Sequence, residues 1–254
     1  MTANIAPLLQ VSGIRKSFGA LHVARDLSLT LAAGARHGLI GPNGAGKTTF
    51  VNIISGLIPP SAGQIYVAGR NVTRMSADQR VKHGLVRTFQ ISSLFPNLTV
   101  AENIALGVSA RRGTDASFWG DMREQHQTLA EAAAVLSDTG LLHLSATRVA
   151  KLAYGQRRLV EIALALALHP RILVLDEPAA GLSNAERETL LGLLLALSPD
   201  LAILIIEHDM SLVFRLASTL TVLVEGAILV EGPTAEVRND PRVRDVYLGT
   251  RSHD

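Results

Sequence analysis

Hydrophobic and polar positions divide the chain into three textures. After Pro7, short segments alternate apolar with polar residues. "LSLTL" (Leu27 to Leu31) has the period of two that a half-buried strand requires, and "GQIYVAGRNV" continues it with glycines marking turns. Between them "HGLIGPNGAGKTTFVNIISGL" reads as an apolar strand, a glycine-rich loop and a helix. From Asn97 the texture becomes helical. Thr99 and Glu102 stand three apart, the spacing of a capping box, and "FWGDMREQHQTLAEAAAVLSDTG" is rich in helix formers and ends at Gly140. Farther along, "RILVL" and "LAILII" are continuously apolar, as strands buried on both faces of a parallel sheet are. "TVLVEGAILVEG" predicts a hairpin turning at Glu225-Gly226, and "DPRVRDVYLGTRSHD" a short, partly helical tail. These elements predict an α/β frame with a helical insertion at about residues 91–155. There is no internal repeat and no low-complexity segment.

Composition narrows the function. A chain of 254 residues, 48% of them hydrophobic, has room for one large α/β domain. Lys plus Arg (24) and Asp plus Glu (22) nearly cancel, and no like-charge block points to nucleic acid, although the isoelectric point is on the basic side. The absence of cysteine excludes thiol catalysis, disulfides and thiolate metal sites. The start, "MTANIAPLLQVSG", lacks a basic region followed by an apolar core, so no signal peptide is expected. The longest apolar run, Leu190 to Leu197, falls far short of the roughly eighteen residues of a membrane span. The chain is therefore expected to be soluble by itself, with a slightly positive mean hydropathy that leaves room for an apolar docking surface.

Candidate chemistry sits at three strand ends. "GPNGAGKT" (Gly41, Pro42, Asn43, Gly44, Ala45, Gly46, Lys47, Thr48) matches G-x-x-x-x-G-K-[ST] between a strand and a helix. The glycines let successive N–H groups wrap a polyphosphate, and the helix N-terminus adds partial positive charge. Lys47 is expected on the β- and γ-phosphates and Thr48 on Mg²⁺; a plain glycine turn needs neither residue. "RILVLDEP" delivers Asp176 and Glu177 at the carboxyl end of a buried strand, Asp176 toward Mg²⁺ and Glu177 toward an attacking water. Alone, the pair also reads as an acidic surface at a strand end. "LAILIIEHD" places His208 two residues past a third strand. A lone histidine there is commonly a satisfied polar residue, but convergence of the three ends brings it within reach of a γ-phosphate.

Together the residues resemble a family. The order "KSFG", "GPNGAGKTT", "RTFQ", "LAYGQ", "LVLDEP", "EHD" resembles the ATP-binding subunit of ABC transporters over essentially the whole chain. The resemblance implies a P-loop NTPase fold: one ABC ATPase domain over 7–250, with a mainly parallel core sheet, an N-terminal antiparallel β-subdomain, an inserted α-helical subdomain and a tail at 251–254. It implies ATP and Mg²⁺ as cofactors. Phe18 would stack on adenine, Thr49 would complete the phosphate loop, and Gln90 would sense Mg²⁺ and the lytic water. Glu177 would be the catalytic base and His208 the γ-phosphate contact. Thr48, Gln90 and Asp176 would hold the metal.

"LAYGQ" occupies the place of the family signature, commonly L-S-G-G-Q, which binds the ATP held by the opposite subunit. Ala153, Tyr154, Gly155 and Gln156 would do so here. Ala153 stands for the usual serine and Tyr154 for a glycine, so one hydroxyl donor is missing, a loss of about 1.5–3 kcal/mol unless backbone donors compensate. Ser183 in "AAGLS" stands where the family often has aspartate. "LAYGQRR", "GLVRTFQ", "LFPNLTVAENI", "DEPAAGL", "IIEHDM" and "VYLG" resemble the branch that imports branched-chain amino acids and related small polar solutes. That branch implies permease subunits in the membrane, a second ATPase subunit, a periplasmic or surface solute-binding protein, no nucleic acid, and a place at the cytoplasmic face of the membrane. The alternatives are the ATPase of a lipid or lipopolysaccharide exporter and a soluble, non-transport ABC ATPase. Arg111-Arg112 and Arg157-Arg158 are expected on solvated faces, and Phe118 and Trp119 inside the helical subdomain.

Overall fold

The computed structural model describes residues 7–88, 94–113 and 122–248. β1 (Leu9–Phe18) and β2 (Leu21–Leu31) form a hairpin, and β3 (Arg36–Ile40) leads through the glycine loop into α1 (Lys47–Ile54). β4 (Ala62–Val67) and β5 (Arg70–Asn71) follow, then α2 (Ala77–Lys82) and β6 (Leu85–Arg87). Three helices come next: α3 (Val100–Arg112), α4 (Met122–Asp138) and α5 (Tyr154–Ala167). The remainder alternates through β7 (Ile172–Asp176), α6 (Asn184–Ala196), β8 (Ala202–Ile206), α7 (Met210–Leu216), β9 (Thr219–Val224) and β10 (Ala227–Pro233). It ends in α8 (Thr234–Val237) and α9 (Pro241–Leu248).

The strands form two sheets. A four-stranded sheet runs β2-β1-β4-β5 with antiparallel neighbours, and a six-stranded sheet runs β10-β9-β3-β8-β7-β6. The latter is parallel except for β10, which folds back on β9. Alternation explains the first sheet: Leu27, Leu29 and Leu31 are buried while Ser28 and Thr30 are exposed. Continuous apolarity explains the second, since every residue of β7 and β8 is buried. Leu173, Leu175, Ile203 and Ile205 face the helices α3 to α6, whereas Ile172, Val174, Leu204 and Ile206 face α1 and the first sheet. Each such side chain contributes about 1.5–3 kcal/mol of burial.

Local signals hold. Glu102 N–H donates to Thr99 Oγ1 at 3.2 Å and Thr99 N–H to Glu102 Oε2 at 2.7 Å, the two legs of the capping box. Glu225 (φ 47°) and Gly226 (φ 77°) both adopt the left-handed region that a tight two-residue hairpin needs. Gly107 lets α3 approach α5, because a Cβ there would lie 2.7 Å from Leu164 Cδ1. No pattern predicts β6, because its three residues are too few to display a period. Gln90, Phe118, Trp119 and Gly249 lie outside the described residues. Among the described residues, no helix is long and apolar enough to cross a membrane.

Candidate active site

β3, β8 and β7 are neighbours in the sheet, so the segments after their carboxyl ends meet on one edge. The glycine loop follows β3. A Cβ on Gly41 would lie 2.1 Å from Leu223 O and one on Gly46 2.6 Å from Val23 O, so neither position accepts a side chain. Gly44, also with positive φ, faces open space. Gly226 N–H of the β9–β10 turn donates to Ala45 O at 2.9 Å, buttressing the loop from behind. Lys47 Nζ folds over it, donating to Gly41 O at 2.6 Å and Pro42 O at 2.9 Å. Burial lowers the Lys47 pKa, while Glu177 and Asp176 oppose the shift, so these three charges share one site.

Thr48 is exposed and Thr49 half-buried in the first turn of α1, which carries no acidic residue there. The other end of α1 is matched by a buried cation. Arg80 Nη1 donates to Ile53 O at 2.6 Å and Ile54 O at 2.5 Å, and burial pulls the Arg80 pKa down to about 10. A cation at the C-terminus complements the helix dipole whose positive end faces the loop.

Asp176 is buried at the end of β7, where Arg87 Nη2 of β6 pairs with its Oδ2 at 2.5 Å. Arg87 Nη1 also donates to Asn52 Oδ1 of α1 at 2.6 Å, so one guanidinium spans the helix after the glycine loop and the acidic strand. Among the described residues, nothing hydrogen-bonds Asp176 Oδ1. Glu177 is half-buried, takes a left-handed backbone (φ 46°), and donates its N–H to Ile206 O at 2.9 Å. Glu207 is buried and joins two loops: Oε1 accepts from Ala179 N–H at 2.7 Å, and Oε2 from His208 N–H at 3.1 Å and Asp209 N–H at 3.3 Å. The His208 side chain is 66% exposed at this edge.

The signature stretch lies elsewhere. Ala153 precedes α5, and Gln156 Oε1 accepts its N–H at 3.0 Å; with no side-chain oxygen, Ala153 returns no cap. Tyr154 is exposed, its ring against Gly181, and Gly155 packs on Glu186, whose Oε1 would be 2.3 Å from a Cβ there. Ser183 caps α6 in a box with Glu186, a local job for the residue that replaces aspartate. Among the described residues, no hydrogen bond joins 153–156 to the glycine loop. Phe18 is exposed at the end of β1, with Lys16 Nζ 5.1 Å from its ring centroid.

Of the two arginine pairs, Arg158 alone departs from the expected solvated face; Arg112 is exposed, and Arg111 and Arg157 are half-buried. Arg158 is buried, donating to the carbonyls of Asp176 (2.8 Å), Glu177 (3.0 Å) and Pro178 (3.2 Å). Arg157 reaches Leu152 O and Ala150 O, and Arg111 is paired with Glu131. The structure thus gathers Gly41–Thr49, Asp176, Glu177 and His208, and adds Arg87, Arg158 and Glu207, which lie within quoted motifs but had no role read from them.

Comparison with known proteins decides the family. The ABC transporter family model matches residues 24–180. The chain belongs to the ABC transporter family. It is an ATP-binding, ATP-hydrolysing subunit, and this membership implies permease partners in the membrane and pairing of ATPase subunits. The model of the branched-chain amino acid ATP-binding cassette transporter family matches residues 227–253 of this ABC ATPase. The chain is 39% identical to the high-affinity branched-chain amino acid transport ATP-binding protein LivG of Salmonella typhimurium, over 96% of this chain and 98% of that one. It is 35% identical to the corresponding BraF of Pseudomonas aeruginosa, with the same coverage. The ADP conformation of an ATP-binding cassette of an ABC transporter superposes with a TM-score of 0.83 at 28% identity, covering 96% of this chain and 99% of that one.

Proposed function

We propose that this ABC ATPase powers an importer of branched-chain amino acids or related small polar solutes. The observation that carries the reading is similarity along nearly the whole chain to two branched-chain amino acid transport ATP-binding proteins, joined by the match at 227–253. The subunit works at the cytoplasmic face of the membrane, beside a second ATPase subunit and beneath permeases that its helical segment α3–α4 touches. A solute-binding protein delivers the cargo on the other side.

The geometry supports a division of labour. N–H groups of Asn43–Thr49 and the Lys47 ammonium hold the β- and γ-phosphates, with Phe18 against the adenine. Thr48 and Asp176 would hold Mg²⁺, and the family resemblance adds Gln90; the ion would neutralise phosphate charge. Glu177 takes a proton from water as the water oxygen bonds to the γ-phosphorus and the bond to the β-phosphate bridging oxygen breaks, giving ADP and phosphate. His208 contacts the γ-phosphate. Ala153–Gln156 meet the nucleotide of the partner subunit, so ATP favours closure because it touches both subunits only in the closed state.

The test is reconstitution of this chain with its co-purifying membrane partners into vesicles, measuring uptake of labelled leucine. ATP-dependent accumulation that disappears in Lys47→Ala is expected. Robust ATPase activity with no uptake of, or stimulation by, any branched-chain amino acid would assign the cargo to another class.

A further inference from the structure

We propose that Arg158 is a positioning residue for hydrolysis: from the helix that begins with the signature, it fixes the backbone on which Glu177 is mounted. The proposal rests on the reading of Glu177 as the base. Glu177 has a φ of 46°, a conformation that a non-glycine residue leaves unless its surroundings hold it. What holds it is specific. Arg158 Nη2 donates to Asp176 O at 2.8 Å and to Glu177 O at 3.0 Å, and Nε to Pro178 O at 3.2 Å. The guanidinium therefore grips three consecutive carbonyls centred on Glu177. Its remaining arm, Nη1, is steadied by Glu161 Oε2 at 2.8 Å, one turn along the same helix.

The grip needs arginine. A planar fork presents donors in several fixed directions, whereas a lysine ammonium is a single point charge. Glu207 completes the clamp by accepting Ala179 N–H at 2.7 Å, so the segment 176–179 is held through its carbonyls on one side and an amide on the other. Arg158 also stands one helical turn after Tyr154, on the helix whose N-terminus meets the partner's nucleotide. A movement of that helix reaches Glu177 through Arg158 directly, linking the two nucleotide sites of a dimer.

The experiment is a double-mutant cycle on the reconstituted complex, with Arg158→Lys and Arg158→Gln each made in wild type and in Glu177→Gln. Misplacing a reacting group by about 1 Å costs on the order of 10²-fold, so kcat should fall by about that factor with KM for ATP nearly unchanged. In the Glu177→Gln background the same substitutions should alter the residual rate by less than about twofold, because there is no base left to aim. Glu161→Gln, which leaves the carbonyl grip in place but removes the partner of Nη1, should lower kcat far less than Arg158→Gln does, and an equal loss would also overturn the proposal. Equal fractional losses in both backgrounds, loss of nucleotide binding along with turnover, or undiminished kcat would overturn the proposal. Full activity of Glu177→Gln alone would instead remove the base assignment itself, an outcome readable without any Arg158 variant.

Discussion

Arg87 Nη2 lies 2.5 Å from Asp176 Oδ2, with both side chains almost wholly buried. A buried ion pair is costly to assemble, and removing one partner leaves an uncompensated charge, worth about 3–5 kcal/mol. Arg87→Met should therefore destabilise the nucleotide-free chain by about that amount in denaturant unfolding. Arg87→Met/Asp176→Asn should cost clearly less than the two single losses combined. Additive losses would show that the pair does not act as a unit.

The hairpin turn should prove part of the nucleotide site. Gly226 N–H supports Ala45 O, and a Cβ on Gly226 would lie 2.5 Å from Val23 O. Gly226→Ala should cost about 1–3 kcal/mol of stability and weaken ATP binding by about tenfold as the loop loses its backing. Gly69→Ala is the control. Its φ of 78° is similar, but nothing lies within 4 Å, so it should cost backbone strain without touching ATP affinity. Equal affinity losses for both variants would separate the turn from the site.

Acid should reveal His37. The residue is buried in β3, its Nε2 2.8 Å from Thr221 Oγ1, which donates to Glu231 Oε2 at 2.8 Å. Thr221 gives its proton to Glu231 and so accepts from His37 Nε2–H. Burial holds the His37 pKa down at about 4, against 6.5 for the free group. The neutral form is thus favoured by folding: the contribution is fully present above pH 6.5 and is lost as pH falls toward 4, by about 3 kcal/mol in all. Between pH 7 and pH 4, wild type should lose about that much more stability than His37→Gln. Parallel losses would assign the acid sensitivity to other groups.

What was legible in the sequence was what local chemistry dictates. The glycine loop, the apolar strands delivering Asp176 and Glu177, the Thr99–Glu102 box and the Glu225-Gly226 turn each carry their signal within a few residues. Arg87, Arg158 and Glu207 act across the fold, on partners 89, 18 and 28 positions away, and a buried arginine has the same letter as a solvated one. The "RR" after the signature therefore reads as a solvated face, although Arg158 is buried beneath the strand that ends at Asp176. Ser183 was legible as a departure from the family pattern, but its capping of α6 required the structure.

The most direct measurement is single-turnover hydrolysis and nucleotide binding by the reconstituted complex carrying Glu177→Gln. Loss of a general base predicts turnover lowered by about 10²–10⁴-fold. MgATP affinity should stay near that of wild type, with nucleotide retained as ATP. Turnover at the wild-type rate would contradict the account at its centre, because Glu177 would then be an acidic residue at a strand end and the water would be activated elsewhere.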